Sequence, residues 1–501
     1  MSGGYPVRRA LLRLMGVAVL SLAGHTAVPA AQVIRMGLST SAVTLDPRFA
    51  TDAVSQRICR LLYRPLVDFD QTYHPVPALA DWQKLTPTHY RFTLRSDRRR
   101  FSDGTRLTAT DVKATYDDIL SPANGSPLRS SLAMIDHIEA ADAAHVDFFL
   151  NRADALFPGR LTIGILPRHL IDAGHAFAQA PVGSGPLRFE AEPDDSHLIL
   201  RRIADDARIE FLTVPNPTVR ALKLARGEID LLQGDLPPEL FHWLAAQPGI
   251  RVAHHPGDTV AYLGFNMRDP LVGQAAVRTA IAHAVNVQAI IRHVLNDDAR
   301  PATGLLPPEH WAADPAATKL AYDPDAARRL LETLGYNRSH PLQLVYKTSN
   351  DPLRVRIATV IQAQLREVGI DVDLRSYDWG TFYGDIKAGR FQMYSLAWVG
   401  LKLPDIFRYV FHSTSVPPNG ANRGRYANPR VDRLIEAAES ADDLETQARD
   451  YRRVAAVLRR DLPQVPLWYE DVAVAERRDL RGYTLTTDGS FDGLIQVTHG
   501  P

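Results

Sequence analysis

Sulfur is almost absent: Cys59 is the single cysteine in 501 residues. One cysteine excludes a disulfide framework and any Cys-rich zinc or iron–sulfur centre. Surplus charge is absent too, with 57 Lys and Arg against 57 Asp and Glu. That balance argues against a general nucleic-acid binder, which needs excess positive charge for phosphates. Beyond the N-terminus no stretch of 18 consecutive residues is apolar, so no later segment reads as a membrane-spanning helix.

Reactive motifs are missing as well. Gly183-Ser184-Gly185 lacks the second spacing of a nucleophile elbow. There is no G-x-x-x-x-G-K-[ST] loop, no G-x-G-x-x-G after a strand, and no H-E-x-x-H. His254 and His255 are adjacent, so an extended chain points them to opposite faces, as at an exposed strand end. Cys59 sits in an apolar helical pattern with Val54, Ile58, Leu61 and Leu62 and reads as a small buried hydrophobe. The expectation is a protein with no catalytic residue, no metal and no cofactor.

What is present starts with a leader. Arg8, Arg9 and Arg13 precede an apolar core, Leu14–Ala23, and then small residues up to Ala31. This is the order of a cleaved secretory signal, with the cut after Ala30 or Ala31. The core is too short to span a bilayer, and a short membrane anchor is the alternative. Arg8-Arg9 resembles a twin-arginine signal, but its flanks fit a general secretory signal better. His25 stands where a bacterial lipoprotein carries its lipidated Cys, so an unlipidated periplasmic protein is expected. Without the leader 54 basic residues face 57 acidic ones, a net charge of about −3, too small to steer a ligand.

With 501 residues, 45% hydrophobic and 23% charged, the chain is a globular protein of two to four lobes. Asn216-Pro217, Asp323-Pro324 and Asn428-Pro429 announce helices, with Asx as cap and Pro in the first turn. Ile209–Val214, Pro217–Arg226 and Ile229–Leu232 read as strand, helix and strand, with Gly227 as the stop. Leu342–Tyr346, Leu353–Val368 and Ile370–Leu374 repeat that order, with Gly369 as the stop. Each unit predicts parallel pairing through a crossover. Asp323–Leu334 reads as a helix ended by Gly335, and Ala275–Leu295 as one longer helix. Residues 60–180 differ: a short strand at Tyr90–Leu94, a turn at Ser102-Asp103-Gly104, and a capping box from Thr108 to Asp111. They read as an inserted α+β lobe. Arg98-Arg99-Arg100 reads as a solvated turn.

A string of segments then carries a resemblance. Leu45-Asp46-Pro47 is followed by Tyr63-Arg64-Pro65-Leu66-Val67, Pro77–Trp82, YRFTLR at Tyr90–Arg95, and Phe101-Ser102-Asp103-Gly104-Thr105. Leu166–Leu170, Val182–Pro186, Arg226–Asp230, Phe265–Arg268, Asn428–Asp432 and Val465–Tyr469 continue the order. From about Val33 to about Ile495 the chain resembles the family 5 extracellular solute-binding proteins of ATP-driven importers, which include oligopeptide-, dipeptide- and nickel-binding members. The resemblance implies an α/β clamp: two α/β lobes joined by a hinge, plus an inserted α+β lobe. The implied division is signal peptide 1–31, lobe I 32–55, 181–265 and 475–501, lobe II 56–180, and lobe III 266–474. It also implies capture of a small-molecule or peptide ligand by a monomer that docks on permease subunits in the inner membrane. A non-peptide ligand (metal chelate, opine or similar solute), a secreted hydrolase and a chaperone-like scaffold are the alternatives.

The resemblance places the ligand near Phe391–Gly400, which ends in Trp398-Val399-Gly400. Peptide-binding members carry an acid three residues after the Trp to pair with the α-ammonium; here that residue is Leu401. Asp405 either replaces that acid or caps the following helix. Trp398 is a pocket wall or a core aromatic. Tyr377 and Trp379 follow a strand, where α/β sheets place ligands, or else pack on a neighbouring helix. Arg354 is a candidate partner for a ligand carboxylate or a solvated helix residue. Asn419–Arg423 is a candidate entrance loop.

Overall fold

The computed structural model describes Met1, residues 32–96 and residues 100–500. The leader expectation, apart from Met1, and Arg98 and Arg99 of the basic run lie outside the described residues.

The Asx-Pro signals become helix starts. The side chains of Asn216, Asp323 and Asn428 accept from the backbone N–H of Val219, Ala326 and Arg430. Asp351-Pro352 uses the same device to start Pro352–Glu367, with Asp351 accepting from Arg354 N–H. Gly227, Gly335 and Gly369 follow three helices at φ of +72°, +84° and +94°, a left-handed stop that costs glycine little. The reading of one helix over Ala275–Leu295 needs correction. There are two, Ala275–Ala284 and Val287–His293, because Asn286 turns its side chain onto Ala289 N–H and caps the second.

The helices cover both faces of one 11-stranded sheet. Its order is Ile370–Tyr377, Leu342–Ser349, Met393–Trp398, Ile250–Phe265, Gln464–Arg477, Leu231–Gln233, Val33–Leu38, Arg208–Thr213, His197–Arg202 and Leu187–Asp194. Ala299–Pro301 pairs off this path with Gln464–Arg477. The unit at 342–377 is a direct parallel pair, with Leu342 opposite Ile370. The unit at 208–233 is not: Val33–Leu38 lies between its two strands and pairs parallel with both. The expected crossover holds, but its strands are neighbours once removed. The intruding strand comes from nearly 200 residues away, beyond any local pattern.

Two long neighbouring strands join the two parts of the sheet. Ile250–His255 pairs with Val472–Arg477, and Thr259–Gly264 pairs with Gln464–Glu470. Between His255 and Thr259 the register slips. Pro256 offers no N–H there, and a Cβ on Gly257 would lie 2.2 Å from the Glu470 carbonyl oxygen. The break divides the sheet into two halves, each with its own buried clusters. Ile34, Met36, Ile209 and Phe211 pack with Ile58 and Leu62 on one side. Leu344, Ile357, Ile361 and Leu365 form the core of the other half. Each fully buried side chain of this kind contributes about 1.5–3 kcal/mol. His254 and His255 lie within the long strand just before the break, not at a strand end; His254 sits 3.1 Å from Asp298.

Residues 80–150 carry a separate antiparallel sheet of Ala80–Thr86, His89–Leu94, His145–Leu150 and Ile135–Ala140. Helix Ala109–Leu120 packs on it and begins with the expected Thr108/Asp111 capping box. The C-terminal residues return to the N-terminal half, where buried Arg202 donates to the carbonyls of Leu494 and Val497. The architecture is an α/β clamp of two α/β lobes with an inserted α+β lobe.

Candidate functional site

Between these parts lies an open cleft of about 510 Å³. One wall is helix Ala53–Leu62, presenting Arg57 and Arg60. Residues 159–164 form a second wall, residues 399–406 a third, and Asp488 and Ser490 part of the floor. A depression of about 630 Å³ against helix Pro352–Glu367 is larger, but residues 338–371 alone line it. A narrower cavity of about 60 Å³ is lined by Val260, Tyr262, Trp398, Phe407 and Phe411 among others.

Ion pairs tie the walls together. Arg160 Nη1 donates to Asp405 Oδ2 at 2.6 Å while its Nε holds Asp154 at 2.7 Å. Lys402 Nζ donates to Asp488 Oδ2 at 2.7 Å. Arg60 donates to Asp68 at 2.8 and 2.6 Å and also holds Asp492. Burial pushes the Asp68 carboxyl up, but the Arg60 hydrogen bonds outweigh it and hold it below the usual range. Asp488 follows the same logic: Lys402 overrides burial and holds it well below the carboxylate range. These are short, charge-assisted bonds in partly desolvated settings.

Four of the sequence-selected residues come to this cleft. Val399, Gly400, Leu401 and Asp405 all line it. Val399 is 64% exposed and Leu401 only 6%. Asp405 makes no capping bond to helix Ile406–Phe411 and is occupied by Arg160 instead. Trp398 faces the narrower cavity. Its ring stacks on Tyr262 at 5.6 Å, Arg423 lies 4.6 Å over it, and its Nε1 donates to Gln464.

The remaining three do not line the cleft. Tyr377 ends the outermost strand, with Lys347 Nζ 5.4 Å over its ring. Trp379 is 58% exposed and stacks on Tyr383 at 5.2 Å. Arg354 donates to Glu470 at 2.8 Å. In the suggested entrance loop, Asn422 and Arg423 are buried; the Asn422 side chain bonds the carbonyls of His412 and Tyr426. Reading along the chain missed Arg57, Arg160, Lys402 and Asp488. Their linear setting carries no signal, since Arg160 and Asp405 are 245 positions apart.

Among the described residues no three His, Cys, Asp or Glu side chains gather to hold a metal ion. Cys59 is buried in its helix, and burial pushes its thiol well above the usual range. Among the described residues no helix is long and apolar enough to cross a membrane.

Comparison with known proteins decides the family. The model of the bacterial extracellular solute-binding proteins, family 5, matches residues 72–417. The chain belongs to this family. It is the solute-binding component of an ATP-driven importer rather than an enzyme, and family 5 members work outside the cell or in the periplasm. The glutathione-binding protein GsiB of Salmonella choleraesuis (strain SC-B67) is 25% identical over 491 residues, covering 94% of this chain and 95% of that one. The Helicobacter pylori DppA structure in complex with the peptide STSA is 26% identical, with a TM-score of 0.75 and coverage of 94% and 98%. The CtaP structure from Listeria monocytogenes has a TM-score of 0.85 at 22% identity, over 94% of this chain and 100% of that one, and shares the fold.

Proposed function

We propose that the protein captures a peptide or peptide-like solute in the cleft and delivers it to permease subunits in the inner membrane. One observation carries this reading: the cleft of about 510 Å³ is walled by segments from three separate parts of the chain. That volume lies within the range of small-ligand sites. A relative named for glutathione and a structural relative holding a tetrapeptide support the peptide class. On this reading lobe I comprises residues 32–55, 181–265 and 475–501, lobe II residues 56–180, and lobe III residues 266–474. The lobes close about the break at residues 256–258. Ligand contacts both sides only when they are closed, so it shifts the open–closed balance by its differential affinity. Val399, Gly400, Leu401 and Asp405 then face the ligand. The chain acts as a periplasmic monomer, cut near residue 31 and carrying no lipid.

A second reading keeps the class and changes the ligand to an opine, a metal chelate or a similar small solute. Leu401 favours it, because a buried leucine cannot pair with an α-ammonium. Native mass spectrometry of the secreted protein separates the readings. The expected result is a retained mass that fragments as a peptide; a retained non-peptide mass supports the second reading, and a chemically converted product contradicts both.

A further inference from the structure

Among the cations that line the cleft, one has no acid. Four cations line it, Arg57, Arg60, Arg160 and Lys402, against three acids. Each acid is already taken: Asp68 by Arg60, Asp405 by Arg160 and Asp488 by Lys402. Arg57 is the remainder. Among the described residues no carboxylate lies within ion-pair distance of it and no hydrogen bond leaves its guanidinium. Its charged end lies 5.4 Å from the centre of the Phe491 ring. Gly489 makes room for it, at φ +65°: a Cβ there would lie 2.9 Å from Arg57 Nη2.

A guanidinium offers a planar fork of donors that matches a carboxylate in two parallel hydrogen bonds. Held on an aromatic face, with no internal partner, it is set to receive an anion. A free α-ammonium meets the opposite situation. It finds no idle carboxylate in the lining, and Leu401 stands where the resemblance places the amine-pairing acid. To be held it would have to draw an acid out of an existing ion pair, with Arg160 falling back on Asp154, Arg60 on Asp492, and Lys402 left without a carboxylate.

We propose that Arg57 is the specificity-determining residue of the cleft. It pairs with a carboxylate of a peptide-like solute whose α-amine is blocked as an amide. This deepens the peptide reading above and rests on it.

The test uses the full-length secreted protein, stripped of bound solute by dialysis from denaturant and refolded. It is offered a mixed pool of di- to tetrapeptides in three forms: free, N-acetylated, and N-acetylated with methyl-esterified carboxyls. Retention is read by mass spectrometry after rapid filtration. The expected result is retention of N-acetylated peptides over both other forms. Arg57→Gln should lose them by about 30-fold or more, the usual cost of removing one partner of a desolvated charge pair. Arg57→Lys, with a point charge in place of the fork, should recover part of the loss. The methyl-ester arm asks the same question without any variant, so it stands even if a substitution disturbs folding. Equal retention of acids and esters overturns the role of Arg57, equal retention of free and acetylated peptides overturns the blocked amine, and either leaves the peptide reading intact. Retention of no pool by the wild-type protein overturns the peptide reading, and this inference with it.

Discussion

Two junctions hold residues 72–74 and Arg160 against residues 300–410, and they are built on opposite principles. The first is the ion pairing of Arg160 with Asp405 in the cleft, where the carboxylate side chain keeps 31% of its exposure. The second is a stack of rings. Tyr73 lies 5.0 Å from His310, and His74 lies 5.9 Å from Trp311. Trp311 N–H also donates to the Thr72 carbonyl at 3.1 Å. His310 is buried and accepts from Ala312 N–H through Nδ1, which leaves its Nε2–H to donate to the Lys402 carbonyl. Burial pushes its pKa down to about 4, so the ring is neutral. Water can replace partners at the first junction as it opens. The second is buried: Tyr73 is 3% exposed, Trp311 9% and Asp258 3%, and the Trp311 indole N–H has no hydrogen-bond partner among the described residues. A paired, half-wet junction is cheap to break, whereas a dry one resists separation and carries a penalty for the polar groups it buries.

Asp258 makes that penalty depend on pH. It sits at the break in the long strand, 3% exposed. Burial, helped by the nearby Asp488 carboxylate, pushes its pKa from 3.8 up to about 7, while Lys402 opposes. Between those values the folded protein holds a proton that the unfolded chain has released. Stability contributed by this group is therefore present at low pH and lost as pH rises through about 7.

The contrast can be broken from its strongest side first. Tyr73→Ala empties the ring stack and should lower folding stability by about 3–5 kcal/mol, read by denaturant unfolding. A loss below about 1 kcal/mol would mean the dry junction does not hold the lobes. Asp258→Asn should raise stability at pH 8 by up to about 4 kcal/mol and leave it nearly unchanged near pH 4. Thermal melts of both proteins across that range check it, and parallel curves would remove Asp258 as the cause. Asp405→Asn should have the smallest effect, about 1 kcal/mol or less, because Arg160 keeps Asp154. A larger loss on calorimetric melting would make the two junctions alike.

The legible parts of this molecule were local. Asx-Pro caps, glycine stops and the apolar strands at 209–214 and 342–346 each depend on a few neighbouring residues, and their elements formed where read. The insertion of Val33–Leu38 between Arg208–Thr213 and Leu231–Gln233 depends on a strand distant in sequence, so only the parallel sense was readable. Asn286 defeated the periodicity of Ala275–Leu295 because one side-chain bond to Ala289 N–H outweighed a continuous apolar stripe. At the site, the loop after Trp398 reaches the cleft because it leaves the end of a central strand. Tyr377 follows the outermost strand and ends far from that loop in the sheet order. Arg57 was hidden for a different reason: what distinguishes it is the partner it lacks, and that becomes visible only when the other charges lining the cleft have found theirs.

Closure about the 256–258 break is the claim from which the rest follows, and small-angle X-ray scattering tests it most directly. Protein stripped of solute should show a larger radius of gyration than the same sample after addition of the peptide pool it retains. An unchanged radius, with calorimetry showing the pool bound, would contradict the account.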